Sequence, residues 1–282
     1  MRLPLHPVLL LGALGLLAAK SGGETHVTVV ACAPGYPGTT AEAQSSMDAF
    51  AAALAHASGW PPSALASVYE PSEQGGEERL SRPEALVALV PTPFLAKYGK
   101  SLGLVPRLQV EEKGTGLEGV WSLVAKKGRV SSPAALAGFT LSSVAGYAPS
   151  FVREALSSFG ELPEHVRIVQ SSQVLSSLRR AAAGEDVAVL LDAEEASALA
   201  TLPFASDLEV VARSRPLPTA FVCTMGDRLT PAQWKVLERG FLLLAGEAGG
   251  AAALDAIRMV RFTPLAPAAL AEVRRLEGGP PR

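Results

Sequence analysis

Short apolar runs alternate with stretches of helical spacing along most of this chain. Residues 26–32, 65–69 and 85–90 read as strands. The last is apolar throughout, as expected for a parallel sheet covered on both faces. Between the first two, Thr39-Thr40-Ala41-Glu42 fits a capping box, and Met47, Phe50, Ala51 and Leu54 follow at helical spacing. Residues 72–80 and 94–98 also read as helices. Strand and helix in alternation give an open parallel sheet, and such sheets bind ligands beyond the carboxyl ends of their strands. Those ends fall here at residues 33–40 and 91–93. Residues 104–110 read as an extended segment leaving this first unit.

The densest patterning lies in residues 119–156. An apolar run at 120–125 reads as a buried strand. Ser131-Ser132-Pro133 then opens a short helix that Gly138 ends. A second strand at 139–144 runs into the loop Ala145-Gly146-Tyr147-Ala148-Pro149-Ser150 and a helix at 151–157. A strand that meets a helix through such a loop leaves backbone N–H groups at the helix start, where the dipole also favours an anion. Further on, 166–169 is a strand. Ser171-Ser172 caps a helix with Val174, Leu175, Leu178 and Ala182 inward, and 184–191 is a strand ending at Asp192. Residues 208–213 form a return crossing, and 219–223 are a strand back in the first unit. Thr230-Pro231 starts a helix carrying Trp234, Leu237, Phe241 and Leu244.

The order of these parts resembles a known family. Ser122-Leu123-Val124-Ala125, the Ser-x-x-Ala-Leu-x-Gly helix, a strand, the Gly146-Tyr147 loop and a helix are similar to the second lobe of periplasmic solute-binding proteins. The phosphate/phosphite/phosphonate-binding branch is the nearest in pattern. Gly184 to Ala188 resembles that family's Gly-x-x-Asp-x-Ala segment with one residue fewer, and Ser214-Arg215-Pro216-Leu217-Pro218 its Ser-x-Pro-x-Pro turn. The resemblance implies an α/β, two-lobed type 2 periplasmic-binding-protein-like fold, each lobe an open mostly parallel sheet flanked by helices. The expected division is a signal peptide at 1–23, a discontinuous lobe 1 at 24–110 and 214–282, and lobe 2 at 111–213. The implied function is capture of a small polar, oxyanion-containing solute between the lobes of a monomer. Delivery would be to an ABC permease, with no cofactor. The alternative is a standalone or sensor-type binding module, which a Gly146 loop poor in Ser and Thr favours.

Arg2, an apolar run over residues 8–19 and small residues after it have the layout of a secretory signal peptide, cut near 19–23. The run is shorter than the ~20 apolar residues a spanning helix needs. Export would place the protein in the periplasm or outside the cell. There an oxidising environment leaves two readings of Cys32 and Cys223: a disulfide, or two small buried side chains.

The 282 residues are 48% hydrophobic and 18% charged, enough to bury two cores. The net charge of −2, with no basic block, argues against nucleic acid as a partner. The stretch Gly114-Thr115-Gly116-Leu117-Glu118-Gly119 spells G-x-G-x-x-G. It lacks the preceding strand and following helix of a dinucleotide site and reads as a glycine-rich connection. No histidine has metal-motif company, and no nucleophile elbow or phosphate-loop pattern occurs, so no enzyme is expected. Asp192, Glu194 and Glu195 read as acids at a helix start. Trp121 and Trp234 are assigned to core packing. The ligand-binding candidates are Tyr36, Thr39, Thr40 and Thr92 from the first lobe, and Gly146, Tyr147, Ser150 and Asp192 from the second.

Overall fold

A computed structural model describes residues 26–36 and 38–276. The expected signal peptide and the C-terminal tail lie outside the described residues. Among those described, no helix is long and apolar enough to cross a membrane.

The first part of the chain runs β1 (Val27–Cys32), α1 (Thr40–Ser58), β2 (Leu65–Glu70), α2 (Glu73–Ser81), β3 (Ala85–Pro91), α3 (Thr92–Leu102) and β4 (Leu104–Glu112). The Thr39 hydroxyl accepts from the Glu42 N–H while the Glu42 carboxylate accepts from the Thr39 N–H, so α1 starts where its capping box places it. Then come β5 (Glu118–Gly119), β6 (Ser122–Lys126), β7 (Thr140–Ser143), α4 (Pro149–Ala155), β8 (Arg167–Gln170), α5 (Val174–Ala183), β9 (Val187–Leu191), α6 (Ala193–Ala198) and β10 (Leu208–Arg213). The return consists of β11 (Leu217–Pro218), β12 (Ala220–Met225), α7 (Pro231–Leu243), α8 (Gly250–Ala256), β13 (Met259–Pro264) and α9 (Pro267–Leu276).

Two sheets result. The first has the order β13-β4-β12-β3-β1-β2, the second β10-β6-β9-β7-β8. In the first, β2, β1, β3 and β4 run one way and β12 and β13 the other. In the second only β6 runs against the rest. The segment expected to leave the first lobe is therefore also one of its inner strands, since β4 pairs with both β12 and β13. The two crossings pair with each other through β5 and β11. The glycine-rich connection turns tightly before that pair, with Glu112 and Gly116 exchanging backbone hydrogen bonds.

One apolar cluster packs α1, α7 and β13 on one face of the first sheet, with Phe50, Phe241 and Phe262 in mutual ring contact. On its other face a cluster runs on into the second lobe. It joins Cys32, Phe94 and Leu95 to Trp121, Tyr147 and Phe151, with Ala269 and Val273 of α9 closing the back. In α5 the inward residues are Ser177, Leu178 and Ala181, and Leu175 faces solvent. The helix starts at Val174 rather than behind Ser171-Ser172. This rotation sets Ser177 against Ser142 of β7, where the two hydroxyls satisfy each other at 3.0 Å.

Cys32 and Cys223 are not bridged. β3 lies between their strands, and two strand spacings of about 4.8 Å exceed the Cα separation a disulfide spans. Of the two readings, the buried one holds. Burial pushes the Cys32 thiol far above its ordinary pKa, with Glu70 and Glu73 adding to the effect.

Several glycines sit where a methyl group cannot, Gly76 and Gly146 among them. A Cβ on Gly76 of α2 would sit 2.0 Å from the Cys32 Sγ, and one on Gly146 would sit 2.1 Å from the Val169 carbonyl oxygen of β8. Gly76→Ala should destabilise the protein by about 1–3 kcal/mol in urea unfolding. Cys32→Ala in the same chain should recover part of that loss, because the obstructing sulfur is gone. Gly146→Ala should reach the upper part of the ~1–3 kcal/mol range for overpacking, because its obstacle is backbone. No side-chain truncation nearby should rescue it.

Candidate functional site

The carboxyl ends of β3 and β4 in the first lobe face the ends of β7 and β9 in the second, and a cavity lies between them. Pro34, Tyr36, Thr92 and Glu112 line it from the first lobe, and Trp121, Tyr147, Asp192 and Glu194 from the second. Thr115 and Thr219, from the crossings, form part of the wall. The cavity therefore sits where the chain passes between lobes, the position expected for open α/β sheets.

Each wall is held by local chemistry. Asp192 ends β9 and caps α6: its carboxylate accepts from the Glu195 N–H at 2.8 Å, and its own N–H donates to the Glu195 carboxylate at 3.0 Å. Trp121 is held edge-on by Phe151 at 5.2 Å between ring centroids. Its backbone N–H donates to the Ser214 hydroxyl and its carbonyl accepts from the Ser214 N–H, which pins β6 to the return crossing. Trp121 thus serves as core and as cavity wall together.

Three contacts tie the lobes across the cavity and its rim. The Tyr36 hydroxyl donates to Asp192 Oδ2 at 2.8 Å. The Lys97 ammonium of α3 donates to the Tyr147 carbonyl at 2.8 Å. Arg258, just before β13, pairs with Glu194 of α6. Arg258 also takes positive φ, the only non-glycine to do so among the described residues.

The electrostatics of the cavity are acidic, with no Lys or Arg in its lining. Burial, followed by the charges of Asp192 and Glu194, pushes the Glu112 carboxyl up to about 7, with Arg258 acting in the opposite sense. Glu195 is pushed up to about 8, by burial first and then by Asp192. The Tyr36 phenol is raised well above its usual range by burial first, then by Asp192 and Glu112. Carboxyls crowded together out of water hold protons more tightly, because burial and like charge both disfavour ionisation.

The structure brings Tyr36, Thr92, Tyr147 and Asp192 together at the cavity. It places the other four expected residues elsewhere. Thr39 caps α1, and Thr40 is the first residue of that helix. Gly146 is packed against the backbone of β8, and Ser150 is exposed outside the lining. Of the backbone donors expected of the Gly146 loop, two are consumed and one is missing. The Ala145 N–H donates to the Ser143 hydroxyl, the Ala148 N–H to the Ala145 carbonyl, and Pro149 has none. The Thr92 hydroxyl is likewise committed, donating to the Pro218 carbonyl.

Glu112 and Glu194 were not among the expected site residues. Two acids closing an apolar strand, Glu111-Glu112, were the available signal for Glu112. Glu194 resembled an ordinary acid in a first helical turn, which it also is. Among the described residues, no group of His, Cys, Asp and Glu has the arrangement to hold a metal ion.

No family model and no curated sequence matches this chain. Solved structures do. XAC2383 from Xanthomonas citri, solved bound to chloride ion, superposes with a TM-score of 0.71 at 17% identity, over 90% of this chain and 96% of that one. A binding protein component of an ABC phosphonate transporter (PA3383) from Pseudomonas aeruginosa gives 0.62 at 14% identity, over 90% and 86%. PhnD1 from Prochlorococcus marinus, in complex with methylphosphonate, gives 0.59 at 14%, over 89% and 98%. With superpositions of this extent, the chain has the two-lobed type 2 periplasmic-binding fold.

Proposed function

We propose that this protein is an exported solute-binding protein that captures a small polar solute between its lobes. Delivery is to an ABC permease in the inner membrane. The observation that carries the reading is the cavity itself. It lies at the carboxyl ends of strands from both sheets, beside the paired crossings β5 and β11, and polar side chains reach across it. Two lobes joined by two adjacent strands can rotate about that joint, and a solute touching both walls favours the closed state. The apolar leader at residues 8–19 supports export. No nucleophile–base pair lines the cavity, so capture rather than chemistry fits the site. The oxyanion that the sequence resemblance suggests would meet three carboxylates there and few unspent donors.

A thermal-shift panel of phosphate, methylphosphonate, sulfonates, amino acids and simple amines tests the reading. A solute present at 100 times its Kd adds ~2.7 kcal/mol, which for a chain of this size raises Tm by roughly 5–10 °C. The same solute should change the fluorescence of Trp121, which lines the cavity. A panel in which nothing shifts Tm would overturn the reading.

The cleft should also respond to pH. Glu112 and Glu195 keep their protons in the folded state up to about 7 and about 8, while in the unfolded chain they lose them near 4.5. The folded state therefore binds more protons across that window, and stability falls as pH rises through it. Tm should drop by a few degrees between pH 5 and pH 8 without solute. Glu112→Gln, which cannot ionise, should flatten the dependence.

A further inference from the structure

We infer that the solute this cleft takes is an organic cation, whose ammonium group is seated among Glu112, Asp192 and the rings of Tyr36 and Trp121, without an oxyanion anchor. This rests on the solute-binding reading above and names its ligand class. Three features of the cavity point the same way.

The first is the sign of its charge. Carboxylates approach from both lobes: Glu112 from the end of β4, and Asp192 and Glu194 from the end of β9 and the start of α6. No lining residue is basic. The nearby cations are spent elsewhere, Arg258 on Glu194 at the rim and Lys97 on Glu73 and the Tyr147 carbonyl, leaving Glu112 and Asp192 to face the interior. Such a cavity favours positive charge through the like charges that, after burial, make its own carboxyls reluctant to ionise.

The second is the aromatic wall. Tyr36, Trp121 and Tyr147 all line a small cavity whose remaining surface is largely Pro, Ala, Val and Leu. Aromatic faces attract ammonium groups, Trp most strongly, and they tolerate alkylated nitrogen that a hydrogen-bonding site would reject. Trp121 is held in place by Phe151 and by its backbone bonds to Ser214, so this wall is already organised without ligand.

The third is the state of the donors. An oxyanion needs N–H or O–H groups without partners, and several of those at this cavity are engaged. The Thr92 N–H donates to the Thr219 carbonyl, Pro93 has no N–H, and the Glu195 N–H is taken by Asp192. The Thr92 and Thr219 hydroxyls bond backbone carbonyls, and the Tyr36 hydroxyl bonds Asp192. An ammonium needs none of these, since carboxylates and rings supply what it requires.

Titration calorimetry on the full mature protein decides the matter, with choline and ethanolamine as cations, methylphosphonate and phosphate as anions, and glycine as a zwitterion. Choline is informative because its charge does not change with pH. Its affinity should rise from pH 6 to pH 8, by up to about tenfold per unit for each proton released. The groups facing it are Glu112 from β4, Tyr36 from the loop after β1, Asp192, Glu194 and Glu195 around the start of α6, and Arg258 before β13. Asp192→Asn keeps a good helix cap while removing one charge, and Glu112→Gln removes the other. Each should weaken cation binding by tenfold or more, with circular dichroism and the unliganded melt confirming a folded chain. Binding of methylphosphonate or phosphate more tightly than any cation would overturn the inference and leave the solute-binding reading intact. So would cation binding that Glu112→Gln and Asp192→Asn leave unchanged. If none of the five compounds, nor any member of the wider panel, binds, both fail.

Discussion

The first sheet is incomplete until the chain comes back to it. β12 fills the slot between β3 and β4, bonding to both, and without it the sheet is two separate pieces, β2-β1-β3 and β4-β13. The polypeptide between β4 and β12 must therefore depart and return side by side. It does so through β5 and β11, which pair. Everything made in between, including the whole second sheet, is suspended from that double strand. Unpaired backbone in a sheet interior is costly, so the return is enforced by the same hydrogen-bond accounting that holds any ladder together.

That constraint also places the cavity. The departure leaves from the carboxyl end of β4, and the return enters beside the carboxyl end of β3. The gap between the lobes therefore opens where strand ends and helix starts gather. Its walls are residues that first serve the frame. Asp192 caps α6, Trp121 anchors β6 to the return crossing, and Thr92 ties α3 to the residues before β12. A cavity wall assembled from groups with structural duties is held rigid.

Closure sets two forces against each other. Apolar burial favours it: Phe94 and Leu95 of α3, Tyr147 and Phe151 of the second lobe, and Ala269 and Val273 of α9 share one cluster. Arg215 adds a brace behind the joint, pairing with Glu154 of α4 and Glu272 of α9. Against it stands the carboxylate cluster, whose members lose water as the lobes meet. The Tyr36–Asp192 bond satisfies one carboxylate oxygen but brings no positive charge.

Much of the frame was legible in the chain. The period-2 and all-apolar runs mark most strands of the two sheets, and the capping boxes at Thr39 and Thr230 mark helix starts, because these signals come from neighbours in sequence; β13, expected as helix, and β10, expected as the return crossing, are edge strands that the local pattern did not mark. Four of eight expected site residues reach the cavity, those whose strand or loop ends there. The other four follow local rules that compete with ligand contact: a capping threonine, a first-turn threonine, a glycine needed for close approach to β8, and a serine on the outer face of α4. Sequence alone determined the alternation of elements, the two-lobed order and the strand ends at which a cavity would form. Only the tertiary structure decided that β3 separates the two cysteines, that Glu112 faces Asp192 across the cleft, and that the cavity is acidic with several of its donors engaged. These depend on which distant segments share a surface, and local periodicity carries no information about the charge of a partner on another lobe.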